Sequence, residues 1–451
     1  MSYVRRLYPH EFHACHKEPL LEHLDLELTE RCNNACIHCC INQPEHDAEL
    51  AAREMDTAFV KYLLRQAADL GAISVRFTGG EPLLRSDFTE LYLFARRLGM
   101  QVTLFTNGRL ITPELAQLLA IIPPGKPVEV TVYGMHPESY DAVAACRGAF
   151  AEFWRGIGLL QEYGIRFTVK QSLLPPNRGE RAEFETWAAT LPEMKQLSGY
   201  SMNFELRGRR DHPAKNRLIE SFRLTPEETV ALLAERPGYI DEMRQFCSKF
   251  MAPPGELVFQ CGAGKGVMVD AYGKAQMCMG LRHPDYVYDL YQTAQAEAAG
   301  ISPLKFALTH VFPEWREMKA AHPAYLSRCA RCFLKGLCEQ CPARSWQEHG
   351  TLDTPVEYLC NVAHAQARHL GLLAAGEKAW EVKNWRERIA RFSSREAGKV
   401  FKMELNEKRI NDGNRSQFEQ HLYAVGRYRG AGDRRRVDHH PSCRRNRRYG
   451  G

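Results

Sequence analysis

Three cysteines within Cys32-Asn-Asn-Ala-Cys36-Ile-His38-Cys39 constrain this chain more than any other feature. A C-x3-C-x2-C loop offers three thiolates to an iron-sulfur cluster that wants four, which leaves one iron open to bind and activate a small molecule. A cluster that only carries electrons normally has all its irons held by Cys. Zinc or buried structural thiols are the competing reading, and the flanking segments weaken it. Residues 24–29 alternate apolar and polar and read as a strand that delivers the loop from its C-terminal end. Val75-Arg-Phe-Thr-Gly79-Gly80-Glu81-Pro82 reads as a second strand closed by a Gly-Gly-Glu turn. Glycine there lets backbone approach a ligand closely, and Glu81 can accept from an ammonium group.

The same alternation recurs. Strands are predicted at 24–29, 75–78, 102–106, 128–133, 166–171 and 201–206, separated by amphipathic stretches at 55–70, 87–98, 113–121 and 153–163, several closed by glycine at Gly71, Gly99 or Gly164. Repeated βα units imply an α/β fold around a parallel sheet, which needs crossover helices. In barrels of this kind the chemistry gathers at the C-terminal strand ends. Thr106, Asn107, Gly108, Tyr133, Gly134, Lys170 and Gln171 are the candidates there.

Taken together, the Cys loop and the Gly-Gly-Glu turn resemble the radical S-adenosylmethionine (SAM) superfamily, with His38 in the aromatic place of its C-x3-C-x-aromatic-C motif. The resemblance implies a partial (β/α)6 TIM-like barrel of the radical SAM type, with a [4Fe-4S] cluster on Cys32, Cys36 and Cys39 whose fourth iron is chelated by SAM. It also implies SAM contacts at Gly79, Gly80, Glu81, Thr106, Asn107 and Arg147. The implied reaction is reductive cleavage of SAM to methionine and a 5′-deoxyadenosyl radical, which abstracts hydrogen from a substrate. A reducing partner such as flavodoxin or ferredoxin would supply the electron. The sequence names no catalytic acid or base; Lys170, Glu205, Arg207 and Asp211 near the late strands are the residues in reach.

A second cysteine-rich region begins at Cys261. Cys261 and Cys278 are followed by Cys329-x2-Cys332-x5-Cys338-x2-Cys341 and then Cys360. Zinc is the bland alternative, although the central spacer is shorter than common zinc layouts. The spacing resembles the SPASM extension of radical SAM enzymes, which carries two auxiliary iron-sulfur clusters. On that pattern Cys329, Cys332, Cys338 and Cys360 hold auxiliary cluster II as a [4Fe-4S] centre. Cys261, Cys278 and Cys341 hold auxiliary cluster I and leave it one ligand short. Cys247 is the nearest upstream thiol; a non-Cys ligand, a smaller cluster or an open iron are the alternatives.

A chain of 451 residues with 44% hydrophobic content can bury a sizeable core. The expected divisions are an N-terminal extension (1–22), a radical SAM core (23–225), a linker (226–255), a SPASM-like domain (256–375) and a C-terminal extension (376–451). No apolar run approaches the ~20 residues that span a bilayer, and the N-terminus lacks a signal peptide's apolar stretch. A cytoplasmic protein with no membrane partner is therefore expected. Fifteen unevenly clustered cysteines argue for metal sites over disulfides. The resemblance favours oxidative modification of a peptide or protein substrate, despite the lack of room for a leader-binding domain before the first strand. A tetrapyrrole or other small cofactor precursor is the second reading, because haem-biosynthesis relatives share the Thr78–Arg85 wording. The third is a nucleic-acid-binding iron-sulfur protein, suggested by an arginine-rich tail that includes Arg434, Arg435, Arg436, Arg444, Arg445, Arg447 and Arg448. A disordered, solvated extension is the favoured reading of that tail, with nucleic acid set aside as a partner.

Overall fold

The structure is a computed structural model, and it describes residues 20–194, 200, 202–338 and 340–394. The basic tail, Cys15, Cys443 and Ser201 lie outside the described residues.

Five parallel strands form the barrel: β1 (His23–Thr29), β4 (Ser74–Gly79), β5 (Gln101–Thr106), β6 (Val128–Val132) and β7 (Phe167–Gln171). Two short strands, β2 (Arg31–Cys32) and β3 (Gln43–Pro44), pair with each other around the Cys loop. The helices that cross between barrel strands are α1 (Ala48–Arg53), α2 (Thr57–Asp69), α3 (Phe88–Arg97), α4 (Pro113–Ile121), α5 (Pro137–Ala144) and α6 (Ala149–Glu162). Side chains fix their starts. Asp47 accepts from the Leu50 N–H, Asp56 from Phe59 and Thr112 from Leu115, each satisfying an amide that the helix itself leaves unpaired.

Each strand buries its apolar face in the main core, and on β1 and β4 Glu27, Thr29 and Thr78 are buried on the other face as well. Leu24, Leu26, Leu28, Val75, Phe77, Val102, Leu104, Val128, Val130, Phe167 and Val169 are buried in the main core. The alternate residues Asp25, Arg76, Thr103, Phe105, Glu129, Thr131, Thr168 and Lys170 are half-buried. Strands of a sheet covered on both faces read as continuous apolar runs. The alternation here reflects a polar, water-accessible inner face.

Within the expected strand at 201–206, the described residues 202–206 belong to no sheet, with Phe204 and Leu206 packed on Val143, Leu174 and Ile219. Phe204 O accepts from the Arg223 guanidinium instead of a strand neighbour. The sixth parallel strand comes from the far side: β8 (Val267–Val269) pairs with β1, Asp25 opposite Met268. Antiparallel β9 (Lys274–Gln276) and β10 (Tyr288–Asp289) then complete the order β10-β9-β8-β1-β4-β5-β6-β7.

Beyond β7 run α7 (Arg181–Ala188), α8 (Pro213–Phe222), α9 (Pro226–Ala234) and α10 (Tyr239–Phe250), then α11 (Pro342–His349), α12 (Glu357–His369) and α13 (Trp385–Ser393). A second core lies among α10, α12 and α13, built from residues such as Tyr239, Met251, Phe333, Leu334, Ala367 and Phe392. Among the described residues no helix is long and apolar enough to cross a membrane.

Candidate functional site

The Cys loop leaves the C-terminal end of β1, and the end of β4 pins it there. Gly80 donates its N–H to Thr29 O (2.7 Å) and Glu81 donates to Arg31 O (2.9 Å). No side chain fits at this approach. A Cβ on Gly79 would lie 2.0 Å from Thr29 O, and one on Gly80 2.2 Å from Arg31 O; Gly79 also holds a φ of +127°. The close approach that these glycines permit is to the backbone that launches the Cys loop.

Glu81 is buried, and its carboxylate accepts from the Thr106 hydroxyl (2.9 Å), the Asn107 N–H (2.8 Å) and the Leu83 N–H (3.2 Å). Burial outweighs these donors and raises its pKa to about 7. Asn107, so placed, donates through Nδ2 to Asn33 Oδ1 (2.7 Å) and stands 3.8 Å from Cys32 Sγ. Arg109, which the sequence reading missed, completes the frame. Its guanidinium donates to the Asn33 carbonyl (2.5 Å) and the Asn34 side chain, and pairs with Glu152 of α6 at 2.6 Å. The available signal was position, directly after the Asn107-Gly108 turn at a strand's C-terminal end. Arg147 lies exposed on the turn between α5 and α6, and the arginine that reaches the Cys loop is Arg109.

The sulfurs sit in turns whose backbone amides point at them. Asn34 N–H donates to Cys32 Sγ and Asn42 N–H to Cys39 Sγ, both at 3.4 Å. Burial raises the Cys36 thiol to about 12, against a hydrogen bond from Tyr133. Burial likewise raises Cys32, with the neighbouring Cys36, Glu81 and Cys39 charges adding to it. Such thiols ionise when a metal takes the place of the proton. Buried polar atoms without a protein partner gather in and around the loop: Asn33 Nδ2, Asn34 Nδ2, His38 Nδ1, Tyr140 Oη and both amide atoms of Gln171 at the end of β7. Native proteins rarely leave such atoms unmet. Three amide-supported thiols beside unmet polar groups fit a cluster with a polar ligand.

Below this edge lies the inner face. Arg76 and Lys170 both stand over the Phe105 ring, at 4.8 and 3.9 Å from its centroid. Arg76 pairs with Asp25 and Lys170 with Glu129 (3.4 Å). Arg76 Nη1 also lies 3.7 Å from Met279 Sδ, next to Cys278, so this face abuts the second cysteine region. A buried ion network ties the two regions together. Arg282 binds Glu27 and Glu30 (2.7 Å to the latter), and Arg209 binds Glu30 (2.7 Å) and Asp270 (2.9 Å). Of the other late-strand candidates, Arg207 is paired with Asp211 at 2.8 Å.

Cys329, Cys332, Cys338, Cys341 and Cys360 line one pocket together with Arg328, Lys335 and His364. Amide donation recurs here: Leu334 to Cys332, Gln340 to Cys338, Arg344 to Cys341, and Gly280 with Leu281 to Cys278. Cys278 is within electrostatic reach of Cys341 and Cys261, while Cys329, Cys332 and Cys338 each feel Cys360. Buried thiols with amide support suit iron-sulfur clusters, and Cys341 lines the same pocket as Cys329, Cys332, Cys338 and Cys360, which Cys261 and Cys278 do not line. Cys247 does not join them. It is fully buried on α10 among apolar residues of the second core, and burial alone raises its thiol to about 12. Among the described residues no three His, Cys, Asp or Glu side chains converge as they would on a single metal ion; cluster cysteines each hold a different iron.

The radical SAM superfamily model matches residues 26–187. An AdoMet-dependent heme synthase of Nitratidesulfovibrio vulgaris is 34% identical over 151 residues, covering 34% of this chain and 40% of that protein. A PqqA peptide cyclase of Xanthomonas axonopodis pv. citri is 37% identical over 152 residues, covering 33% and 39%. The matches thus span about two fifths of these relatives. Among solved structures, histidine-tagged anSMEcpe with bound AdoMet superposes over 84% of this chain and 98% of its own, with a TM-score of 0.51 and 14% identity, a likeness of fold.

Proposed function

We propose that this chain, whose residues 26–187 match the radical SAM superfamily model, works as a SPASM-type radical SAM enzyme that cleaves SAM reductively and abstracts hydrogen from a peptide or protein side chain to oxidise it. Cys32, Cys36 and Cys39 would hold a [4Fe-4S] cluster, which would supply the electron for reductive cleavage of SAM. The residues of the chain do the rest. Glu81, Asn107 and Arg109 hold the Cys loop in register with the barrel's upper edge. Asn33, Asn34, Gln171 and Tyr140 offer unmet polar atoms to a bound cofactor. The inner face around Phe105 receives the substrate below it. Cysteines of the second region would hold two auxiliary clusters that carry the substrate electron away, and a flavodoxin or ferredoxin would deliver the first one.

The observation that carries the reading is the amide-supported, three-thiol loop anchored at the mouth of a half barrel with a water-accessible inner face. Similarity to PqqA peptide cyclase supports the peptide substrate. Similarity to AdoMet-dependent heme synthase, of the same extent, supports a tetrapyrrole as the second reading. The test is anaerobic reconstitution followed by assay of 5′-deoxyadenosine with SAM and dithionite. The wild-type chain should form it, and the Cys32/Cys36/Cys39→Ala variant should not. Acceleration by a peptide fraction of the host would support the first substrate. Acceleration by iron-coproporphyrin alone would replace it with the second.

A further inference from the structure

We infer that Glu205 supplies an oxygen ligand to the auxiliary cluster held by Cys261, Cys278 and Cys341, completing the set that the cysteines leave one short. The inference rests on the two-cluster reading above. Cys247, the nearest upstream thiol, lies in the second core among Tyr239, Met251, Phe333 and Leu334, against which Cys332 and Cys338 of the other cysteine set pack rather than Cys261, Cys278 or Cys341. A ligand from elsewhere would complete the set.

Glu205 lies in the extended 202–206 segment that stays out of the sheet, and it meets both of the better-buried thiols' supports. Its carboxylate is 3.4 Å from the Arg344 guanidinium and 3.4 Å from Gln347 Nε2, both on α11, whose N-cap residue is Cys341. From the other side comes the turn after Cys278. A Cβ placed on Gly280 would stand 3.8 Å from Glu205 Oε2. The carboxylate is therefore flanked by the helix that begins at Cys341 and by the turn that presents Cys278. A carboxylate in this place offers a lone pair to iron, whereas the Arg344 guanidinium beside it is a donor only.

The carboxylate is also loosely held. Both contacts are at the long end of the hydrogen-bond range, and the side chain is 40% exposed. Small rotations can turn one oxygen to a metal while Arg344 keeps the other oriented, the usual arrangement for a ligating carboxylate.

The test uses the full-length chain carrying Cys32/Cys36/Cys39→Ala, so that every iron signal is auxiliary. After anaerobic reconstitution the parent should hold about eight iron per chain. Glu205→Gln, which keeps the shape, and Glu205→Ala should each alter the electron paramagnetic resonance of one auxiliary cluster. On mild oxidation each should lose about one iron per chain to a [3Fe-4S] form. Glu205→Cys should resist that loss and show a shifted reduction potential. The unaltered signal of the other cluster reports that the fold is intact. Spectra and iron retention identical in parent, Gln and Ala variants would overturn the assignment of Glu205 alone. A parent that binds about four iron or fewer would overturn it together with the two-cluster reading.

Discussion

Arg109 and Glu81 are the two residues on which the Cys loop's position turns. Arg109 joins the loop to α6 through Asn33, Asn34 and Glu152. Arg109→Gln keeps part of the length and removes the charge and the fork. With cluster content checked by iron analysis, 5′-deoxyadenosine formation should fall by about tenfold to a hundredfold, the usual consequence of misplacing a positioned group by about 1 Å. Glu81 gives a pH signature. Its folded pKa of about 7 lies above the ordinary value of 4.5 because burial disfavours the anion. Between those values the folded chain holds a proton that the unfolded chain has released. This group's stabilising effect is full below about pH 4.5, falls as pH rises, and is gone above about pH 7, a loss of about 3 kcal/mol. Denaturant titration of the cluster-free chain at pH 5 and pH 7.5 should show this slope, and Glu81→Gln should flatten it. Glu27, also raised by burial to about 7, works in the same direction and leaves a residual slope.

The turn after β4 is the element most intolerant of change. Gly80→Ala would place a methyl group 2.2 Å from Arg31 O and force the Cys loop off the strand, a cost of about 3 kcal/mol or more. Gly158→Ala, on α6 where a Cβ meets nothing within 4 Å, should instead stabilise by about 1 kcal/mol through helix propensity. Thermal unfolding of the two variants against wild type should move in opposite directions. The five barrel strands were legible because each alternates strictly and ends at a turn or glycine. The segment at 201–206 alternates equally well in sequence, but its described residues 202–206 form no ladder. Period-2 burial reports which side chains face a core; it carries no record of which backbone, if any, lies alongside.

At the scale of the whole molecule, the barrel and the second cysteine region share one sheet and one ion network. β8 closes on β1, and Arg282, four residues beyond Cys278, is buried between Glu27 and Glu30. Removing one partner of a buried pair leaves uncompensated charge, at a cost of about 3–5 kcal/mol. Arg282→Gln should lower stability in denaturant by that order. It should also reduce iron retained by the auxiliary cysteines more than iron retained by Cys32, Cys36 and Cys39, read by comparing reconstituted chains with and without the triple Ala change. Arg282 could not be singled out beforehand, because an arginine in a polar loop reads as solvated until its partners, some 250 residues away, are brought to it.

Local chemistry is what the amino-acid sequence determined by itself: the three-thiol loop, the Gly-Gly-Glu turn, the βα repetition and the clustered cysteine spacing of the second region. Each depends on residues close in the chain, where spacing dictates geometry. Tertiary structure alone decided that Gly79 and Gly80 accommodate backbone, that Arg109 rather than Arg147 meets the Cys loop, that Cys247 is shut in a separate core, and that the sixth parallel strand comes from residues 267–269. Those outcomes depend on which distant surfaces exclude water from one another, and spacing along the chain carries no information about that.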